Sequence, residues 1–228
     1  MENLLRNIMA DSFERKQAGD PRILAGLPFI TISREFGCQA NLLATMLKKE
    51  LDKNAKNWEI INKEIIQNTA RQLHMDSDVI SRIASSLERN QMDEIIHALS
   101  SKFYKSDRKI RQTIASVVLN TAQSGYAIIV GRGGAAITRG LNTAIHIHMI
   151  APIEWRLNSL MTRHGLKREE TFKTLTETDH KRYKLIRDNL KGIETIEHLF
   201  DLSINSSLVS HEEIVEMVLK LARLRKML

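Results

Sequence analysis

Short apolar runs typical of β-strands alternate with longer stretches of helical periodicity along this chain from residue 29 onward. The five candidate strands are FITI at 29–32, WEII at 58–61, YAIIV at 126–130, TAIHIHMI at 143–150 and LFDLSIN at 199–205. Parallel strands need a long crossover connection, usually a helix, so this alternation predicts βαβ units. The expected fold class is therefore α/β, a three-layer α/β/α sandwich.

Apolar residues at helical spacing predict the helices that cover the sheet. Two stripes are clear: Leu42, Leu43, Met46, Leu47 and Leu51 in the first, and Ile110, Ile114, Val117 and Val118 in the second. Ser210 and Glu213 have the spacing of a capping box at the start of the last helix. The apolar face of that helix consists of Ile214, Val218, Leu221 and Ala222.

Two regions interrupt the alternation of strands and helices. Residues 63–124 have an almost wholly helical pattern and are too long for one crossover, so we expect an inserted helical subdomain. Residues 167–191 are a helical stretch with a nearly all-polar centre, which is typical of a mobile flap. We expect residues 1–28 to be an N-terminal extension and residues 29–228 a single domain. Apolar residues at helical spacing in the extension could pack on its own domain or on the second subunit of a homodimer.

The composition limits the cell compartment and the class of partner. The 34 Lys and Arg residues outnumber the 27 Asp and Glu residues, which favours a polyanion such as nucleotide phosphate or nucleic acid. The basic residues are dispersed, however, and aromatic residues are only 5%, which argues against nucleic acid. The single cysteine excludes a disulfide framework, and we find no secretory signal and no apolar window that could span a membrane. We expect a cytoplasmic protein with no membrane partner.

The turn after the first strand, Ser33 to Asn41 (SREFGCQAN), leads directly into a helix. Such a turn presents backbone N–H groups and the positive helix end to an anion. Its composition differs from the phosphate loop G-x-x-x-x-G-K-[ST]. If Gly37 is the central glycine, Ala40 stands at the lysine position and Asn41 at the position of the magnesium-binding hydroxyl. An ordinary strand-to-helix turn with one glycine fits these residues equally well.

Three arginines are candidates for binding an anion. The third strand ends in GRGG at 131–134, and an arginine at the carboxyl end of a strand favours an anion site over a merely flexible turn. This arginine is Arg132. Arg163 and Arg182 lie on the helices after the fourth strand, where arginines of a closing flap could stabilise a transferring phosphoryl group. The alternative for both is a solvated helix face. No metal site is predicted, because His146 and His148 share a strand face without a third ligand.

Six motifs occur in an order that resembles the cytidylate kinase-like proteins, which are relatives of the nucleoside monophosphate kinases. They are ITISREFG at 30–37, IINKEII at 60–66, IIVGRGG at 128–134, IAPIEWR at 150–156, DHKRY at 179–183 and FDLSIN at 200–205. The resemblance implies a P-loop kinase fold with a five-stranded parallel sheet, a helical monophosphate-binding region at about 63–124 and a lid at about 163–191.

The resemblance also implies an activity and a set of site residues. Such enzymes use ATP and Mg²⁺ to phosphorylate a nucleoside monophosphate, typically CMP. Arg132 would bind the acceptor phosphate, and Arg163 and Arg182 would bind the transferring group. The donor phosphates would be held by Ser33, Arg34, Glu35, Gly37, Cys38, Gln39, Ala40 and Asn41.

The chain departs from the family pattern at three places. Relatives usually continue the loop with Ser-Gly-Gly-Arg, where this chain has CQAN at 38–41. Cytidylate kinases carry an aspartate at the position of Gly133, and relatives tend to carry one at Asn62. Lys48 lies two turns into the helix, so Arg34 is the better replacement for the missing lysine. We therefore expect ATP to bind weakly.

Three functions are compatible with these features. The first is a phosphotransferase of the nucleoside monophosphate kinase type, weakened by its altered loop. The second is a non-catalytic protein of the same fold that binds a nucleotide or another phosphate ligand. The third is a basic RNA-associated protein, which the dispersed charges and the lack of an RNA-binding motif disfavour.

Overall fold

The computed structural model describes residues 26–54, 56–62, 108–187 and 195–228. Its strands are β1 (Phe29–Arg34), β2 (Glu59–Ile61), β3 (Ala127–Val130), β4 (Ala144–Ile150) and β5 (Leu202–Asn205). Its α-helices are α1 (Ala40–Leu51), α2 (Arg108–Ser124), α3 (Gly134–Thr138), α4 (Ile153–His164), α5 (Arg168–Arg187) and α6 (His211–Leu224). Short 3-10 helices occupy Asp52–Asn54 and Ile196–Leu199. The predicted extension, except its last residues, and the part of the predicted helical subdomain at 63–107 lie outside the described residues.

All five strands join one sheet in the order β2-β3-β1-β4-β5, and every pair is parallel. Phe29 on the central strand lies opposite Ala127 of β3 and Ala144 of β4. All strands therefore end at the same edge of the sheet. The α/β fold class and the five-stranded parallel sheet are confirmed.

Side chains of β1 alternate between two helical layers. Ile30 and Ile32 belong to the main core, to which α1 and α6 contribute their apolar faces. On the opposite face, Gly134 at the start of α3 lies against Thr31 and Ile129. Helix α2 contacts both α3 and β3. Helices thus cover both faces of the sheet, which confirms the three-layer arrangement.

The predicted helical stripes are largely correct, with one exception in α1. Leu43, Leu47 and Leu51 are fully buried, but Leu42 is 47% exposed. It lies at the start of α1 beside an open cavity rather than over the sheet. The side chains of Ile110 and Ile114 lie outside the described residues.

The last strand and helix follow the sequence pattern with a shifted boundary. Strand β5 begins at Leu202, whereas the prediction began at Leu199, which instead ends a 3-10 helix. The capping box of α6 is confirmed: the N–H of Glu213 donates to Ser210 Oγ at 3.2 Å, and the N–H of Ser210 donates to Glu213 Oε2 at 2.8 Å. Among the helices in the described ranges, none is both long and apolar enough to cross a membrane.

Candidate functional site

The turn between β1 and α1 is sharp, because two of its residues have a positive φ. Gly37 has a φ of +106°, and a Cβ there would come within 3.0 Å of Arg156 Cβ. Gln39, directly before α1, is left-handed with a φ of +46°. The N–H of Glu35 still donates to the carbonyl of Met149 at 3.0 Å, so the turn begins from the sheet itself. The predicted strand-to-helix turn is therefore present.

Side chains from α4 and α5 bind the backbone of this turn. Arg182 Nη1 donates to the carbonyl of Arg34 at 3.1 Å, and Arg163 Nη2 donates to the carbonyl of Gly37 at 3.1 Å. Between these two contacts, the N–H of Phe36 donates to Asp179 Oδ1 at 2.7 Å. The helices that carry the predicted flap arginines are thus attached directly to the turn.

A buried ion-pair network lies beneath the turn. Arg156 is only 5% exposed, donates from Nε to the carbonyl of Ala151 at 2.8 Å and pairs with Asp179 through Nη1. Its Nε also lies 3.4 Å from Glu35 Oε2, which accepts the N–H of Ala151 at 2.9 Å. The Tyr183 hydroxyl donates to Glu35 Oε1 at 3.3 Å. The network therefore joins the turn, the end of β4, α4 and α5.

Arg156, Asp179 and Tyr183 belong to motifs that carry the family resemblance, but no role was predicted for them from the sequence. A signal for two of them was present, since Asp179 and Tyr183 are four residues apart and must share one face of α5. The polar centre of α5 therefore contacts the turn and Arg156 through Asp179 and Tyr183, and is not simply a solvated face. Whether the helix moves on ligand binding stays a prediction.

A cavity of about 300 Å³ opens beside the turn. Most of the predicted donor-site residues line it, and so do two of the three predicted arginines, Arg163 and Arg182. The complete lining consists of Arg34, Glu35, Phe36, Gly37, Gln39, Ala40, Asn41, Leu42, Leu160, Arg163, His164 and Arg182. Ser33 is buried in β1, and Cys38 is fully buried in the core. Burial raises the pKa of the Cys38 thiol to about 12, so this side chain is a structural thiol and not a ligand-binding thiolate.

The third predicted arginine lies next to this cavity without lining it. Arg132 follows β3, and the side chain of Arg34 crosses over the neighbouring Gly131, where a Cβ would overlap Arg34 Nη1. Burial and the nearby charges of Arg182 and Arg132 lower the pKa of Arg34 to about 10. Burial lowers the pKa of Arg132 to about 10. Arg34 is therefore repelled by the charges of both Arg182 and Arg132, and a bound anion would relieve that repulsion.

Lys48 does not contribute to this positive region. Its Nζ contacts Asp52 Oδ2 at 2.9 Å and the carbonyl of Trp58, near the far end of α1. The two histidines of β4 are structural as well. His146 Nδ1 lies 2.8 Å from Thr31 Oγ1, and the ring of His148 stacks on Phe200 with centroids 4.5 Å apart.

The residues around the cavity fit phosphate better than Mg²⁺. The first N–H groups of a helix have no partner within it, and Ala40 and Asn41 bring such groups to the cavity wall. Mg²⁺ prefers carboxylate, hydroxyl and phosphate oxygens. The hydroxyl position holds Asn41, and the Glu35 carboxylate is already bound by Ala151, Arg156 and Tyr183. In the part of the chain that the structure describes, no group of three His, Cys, Asp or Glu residues could hold a metal ion.

Comparison with known proteins gives one family match and several structural neighbours. The model of the cytidylate kinase-like family matches residues 29–208. An uncharacterized protein from Eubacterium ventriosum has a TM-score of 0.63 at 21% identity, covering 85% of this chain and 96% of that one, and so shares its fold. Shikimate kinase from Bacteroides thetaiotaomicron has a TM-score of 0.46 at 11% identity over 87% and 98% of the two chains. A search of the curated proteins gave no match.

Proposed function

Because this chain belongs to the cytidylate kinase-like family, we propose that it is a phosphotransferase that moves a phosphoryl group from ATP to a nucleoside monophosphate or a similar small acceptor. One observation carries the proposal. Arg34, Arg163 and Arg182 line one cavity with the start of α1, at the sheet edge where α/β proteins bind their ligands. The family and the cationic cavity together support phosphoryl transfer over other chemistry of this fold class.

The reaction needs positioning and charge neutralisation more than covalent chemistry. An acceptor oxygen forms a bond to the γ-phosphorus of ATP while the bond from that phosphorus to the bridging oxygen of ADP breaks. Negative charge accumulates on the transferring group and the leaving oxygen. Arg163 and Arg182 would stabilise this charge through guanidinium N–H groups, and Arg34 would replace the absent lysine.

The acceptor phosphate would be bound by Arg132. This residue follows β3, beside the turn in the order of the sheet, and electrostatic repulsion already couples it to Arg34. An acceptor phosphate between Arg132 and Arg34 would be adjacent to donor phosphates in the cavity. Phosphoryl transfer requires such closeness of the two phosphates, with the attacking and leaving oxygens in line.

Two observations favour a second candidate, a non-catalytic nucleotide or phosphate-binding protein of the same fold. The N–H of Phe36 donates to Asp179, so this group of the turn is not offered to a phosphate. Ala40 supplies no cation at the start of α1. A protein with these features could bind a nucleotide weakly without transferring its phosphoryl group.

Incubation with γ-labelled ATP and CMP, UMP, AMP or GMP in turn separates the two candidates. We expect a labelled nucleoside diphosphate with at least one acceptor, and a rate about a hundredfold lower in Arg182→Ala or Arg163→Ala, since each removes a donor to the transferring group. Arg168→Ala is the control, because Arg168 is exposed and pairs with Glu154 outside the cavity. ATP binding without transfer to any acceptor would favour the non-catalytic protein.

A further inference from the structure

The oxygen ligands around the cavity are poorly suited to a divalent cation. In phosphate loops a serine or threonine hydroxyl at the start of the helix binds Mg²⁺. Here the corresponding Asn41 offers a neutral amide. Among the described residues that line the cavity, Glu35 is the one carboxylate, and both of its oxygens are engaged: Oε2 by Ala151 and Arg156, and Oε1 by Tyr183.

The same cavity is rich in guanidinium groups that retain donors for a ligand. Arg163 is exposed and makes its hydrogen bonds through Nε and Nη2, to Ser159 and Gly37, which leaves Nη1 available. Arg182 donates from Nη1 to the carbonyl of Arg34 and lies over the Phe36 ring with its Cζ 5.4 Å from the centroid. Each side chain is therefore held in place by some of its donors.

The carboxylates near these arginines offset their charge only in part: burial lowers the pKa of Arg182, and the charge of Asp179 opposes that lowering. Asp179 and Glu35 are both paired with Arg156, which lies in the network beneath the turn and does not line the cavity. Among the described residues that line the cavity, Arg34, Arg163 and Arg182 thus share one carboxylate, Glu35, which is already paired with Arg156.

We propose that this chain binds the phosphate groups of its nucleotide without a divalent cation, and that Arg34, Arg163 and Arg182 supply the neutralisation that Mg²⁺ supplies in other phosphate loops. The inference rests on the proposed function, since it assumes that ATP is the ligand of this cavity. A guanidinium N–H donates a charge-assisted hydrogen bond to a phosphate oxygen, so the donors that the three arginines retain can contact several oxygens of a triphosphate chain. Mg²⁺ would compete with the arginines for the same oxygens.

Calorimetric titration with ATP, once in excess EDTA and once in excess MgCl₂, tests this proposal directly. We expect metal-free ATP to bind at least as tightly as Mg·ATP and up to about tenfold more tightly, because its greater negative charge is attracted by the arginines. A dissociation constant more than about tenfold higher in EDTA would overturn the proposal and leave the proposed function intact. Absence of ATP binding in both buffers would refute the proposed function and this inference with it.

Two arginine variants distinguish binding by the cavity arginines from attraction by general surface charge. Arg163→Ala should weaken the binding of metal-free ATP about tenfold and that of Mg·ATP less, since Mg²⁺ already neutralises part of the phosphate charge. Arg168→Ala, an exposed arginine of α5 outside the cavity, should leave both affinities unchanged. Equal losses in both variants would mean that general surface charge attracts ATP, and would contradict binding by the cavity arginines.

Discussion

Gly131 leaves room for the Arg34 guanidinium because it has no side chain. Its φ is +76°, and a Cβ at this position would overlap Arg34 Nη1. We expect Gly131→Ala to displace the guanidinium and to weaken ATP binding about tenfold. It should also lower the free energy of unfolding by about 1–2 kcal/mol, since alanine is strained at positive φ. Calorimetry with ATP and urea unfolding measure the two effects.

Gly140→Ala is the matched control for this substitution. A Cβ at Gly140 would meet nothing within 4 Å, and this glycine is not in the left-handed region. We expect its ATP affinity to equal that of the native protein. If Gly131→Ala binds ATP as the native protein does, Arg34 does not depend on this glycine for its position.

The different burial of Arg156 and Arg163 could not be predicted from the sequence around each residue. They lie seven positions apart, two turns of the same helix, so periodicity places them on one face. Yet Arg156 is buried between two carboxylates, whereas Arg163 is exposed in the cavity. The difference arises because Arg156 meets Glu35 and Asp179, which are distant in the chain. The sequence marked Arg163 as a candidate site residue, which stays a prediction, and it indicated no role for Arg156.

At the scale of elements, Asp179 couples α5 to the turn after β1. Its carboxylate accepts the N–H of Phe36 and pairs with the buried Arg156. We expect Asp179→Ala to destabilise the protein by about 3 kcal/mol, because it leaves Arg156 with less compensation for its buried charge. Hydrogen exchange should become faster in α5 and at residues 34–37, since both lose their common contact.

Two further variants separate this coupling from a general loss of helix stability. Asp179→Asn retains an oxygen for the Phe36 N–H but loses the charge, so its exchange rates should lie between those of the native protein and Asp179→Ala. Glu177→Gln changes an exposed residue of the same helix that pairs with Lys181 at 3.7 Å, and should alter little. Faster exchange in α5 alone, with residues 34–37 unaffected, would contradict the coupling.

The arrangement of the whole molecule explains why residues about 150 positions apart form one cavity. The strand order places β1 between β3 and β4, so the turn after β1 has Gly131 on one side and α4 on the other. Strand alternation with helices was enough to predict a parallel sheet, whose strands end at one edge. The strand order itself followed from long-range packing and was not derivable from local patterns. The sequence pattern also predicted a polar centre in α5, but it did not indicate which element that centre contacts.

Proton binding to histidines is a property of the whole molecule, because the three with a lowered pKa lie on two elements that are distant in the chain. Burial lowers the pKa of His146 and His148 on β4 and of His211 at the start of α6. A histidine with a lowered folded-state pKa binds fewer protons in the folded than in the unfolded protein. Its contribution to stability is therefore fully present above the unfolded pKa of about 6.5 and is lost as the pH falls below it.

We accordingly expect the urea midpoint of unfolding to be constant between about pH 7 and pH 8 and to fall between pH 6.5 and pH 5, with an unchanged m value. A separate loss should follow at more acidic pH, where Asp201 is protonated. Burial opposes the lowering of its pKa, but hydrogen bonds from Arg225 and from the His146 N–H outweigh that effect.

His148→Phe preserves an aromatic ring against Phe200 and should flatten the loss of stability between pH 6.5 and pH 5. His180→Phe, at an exposed position of α5, should not. If His148→Phe loses stability over pH 6.5–5 as steeply as the native protein, His148 does not take up a proton on unfolding, and the acid sensitivity belongs to other groups.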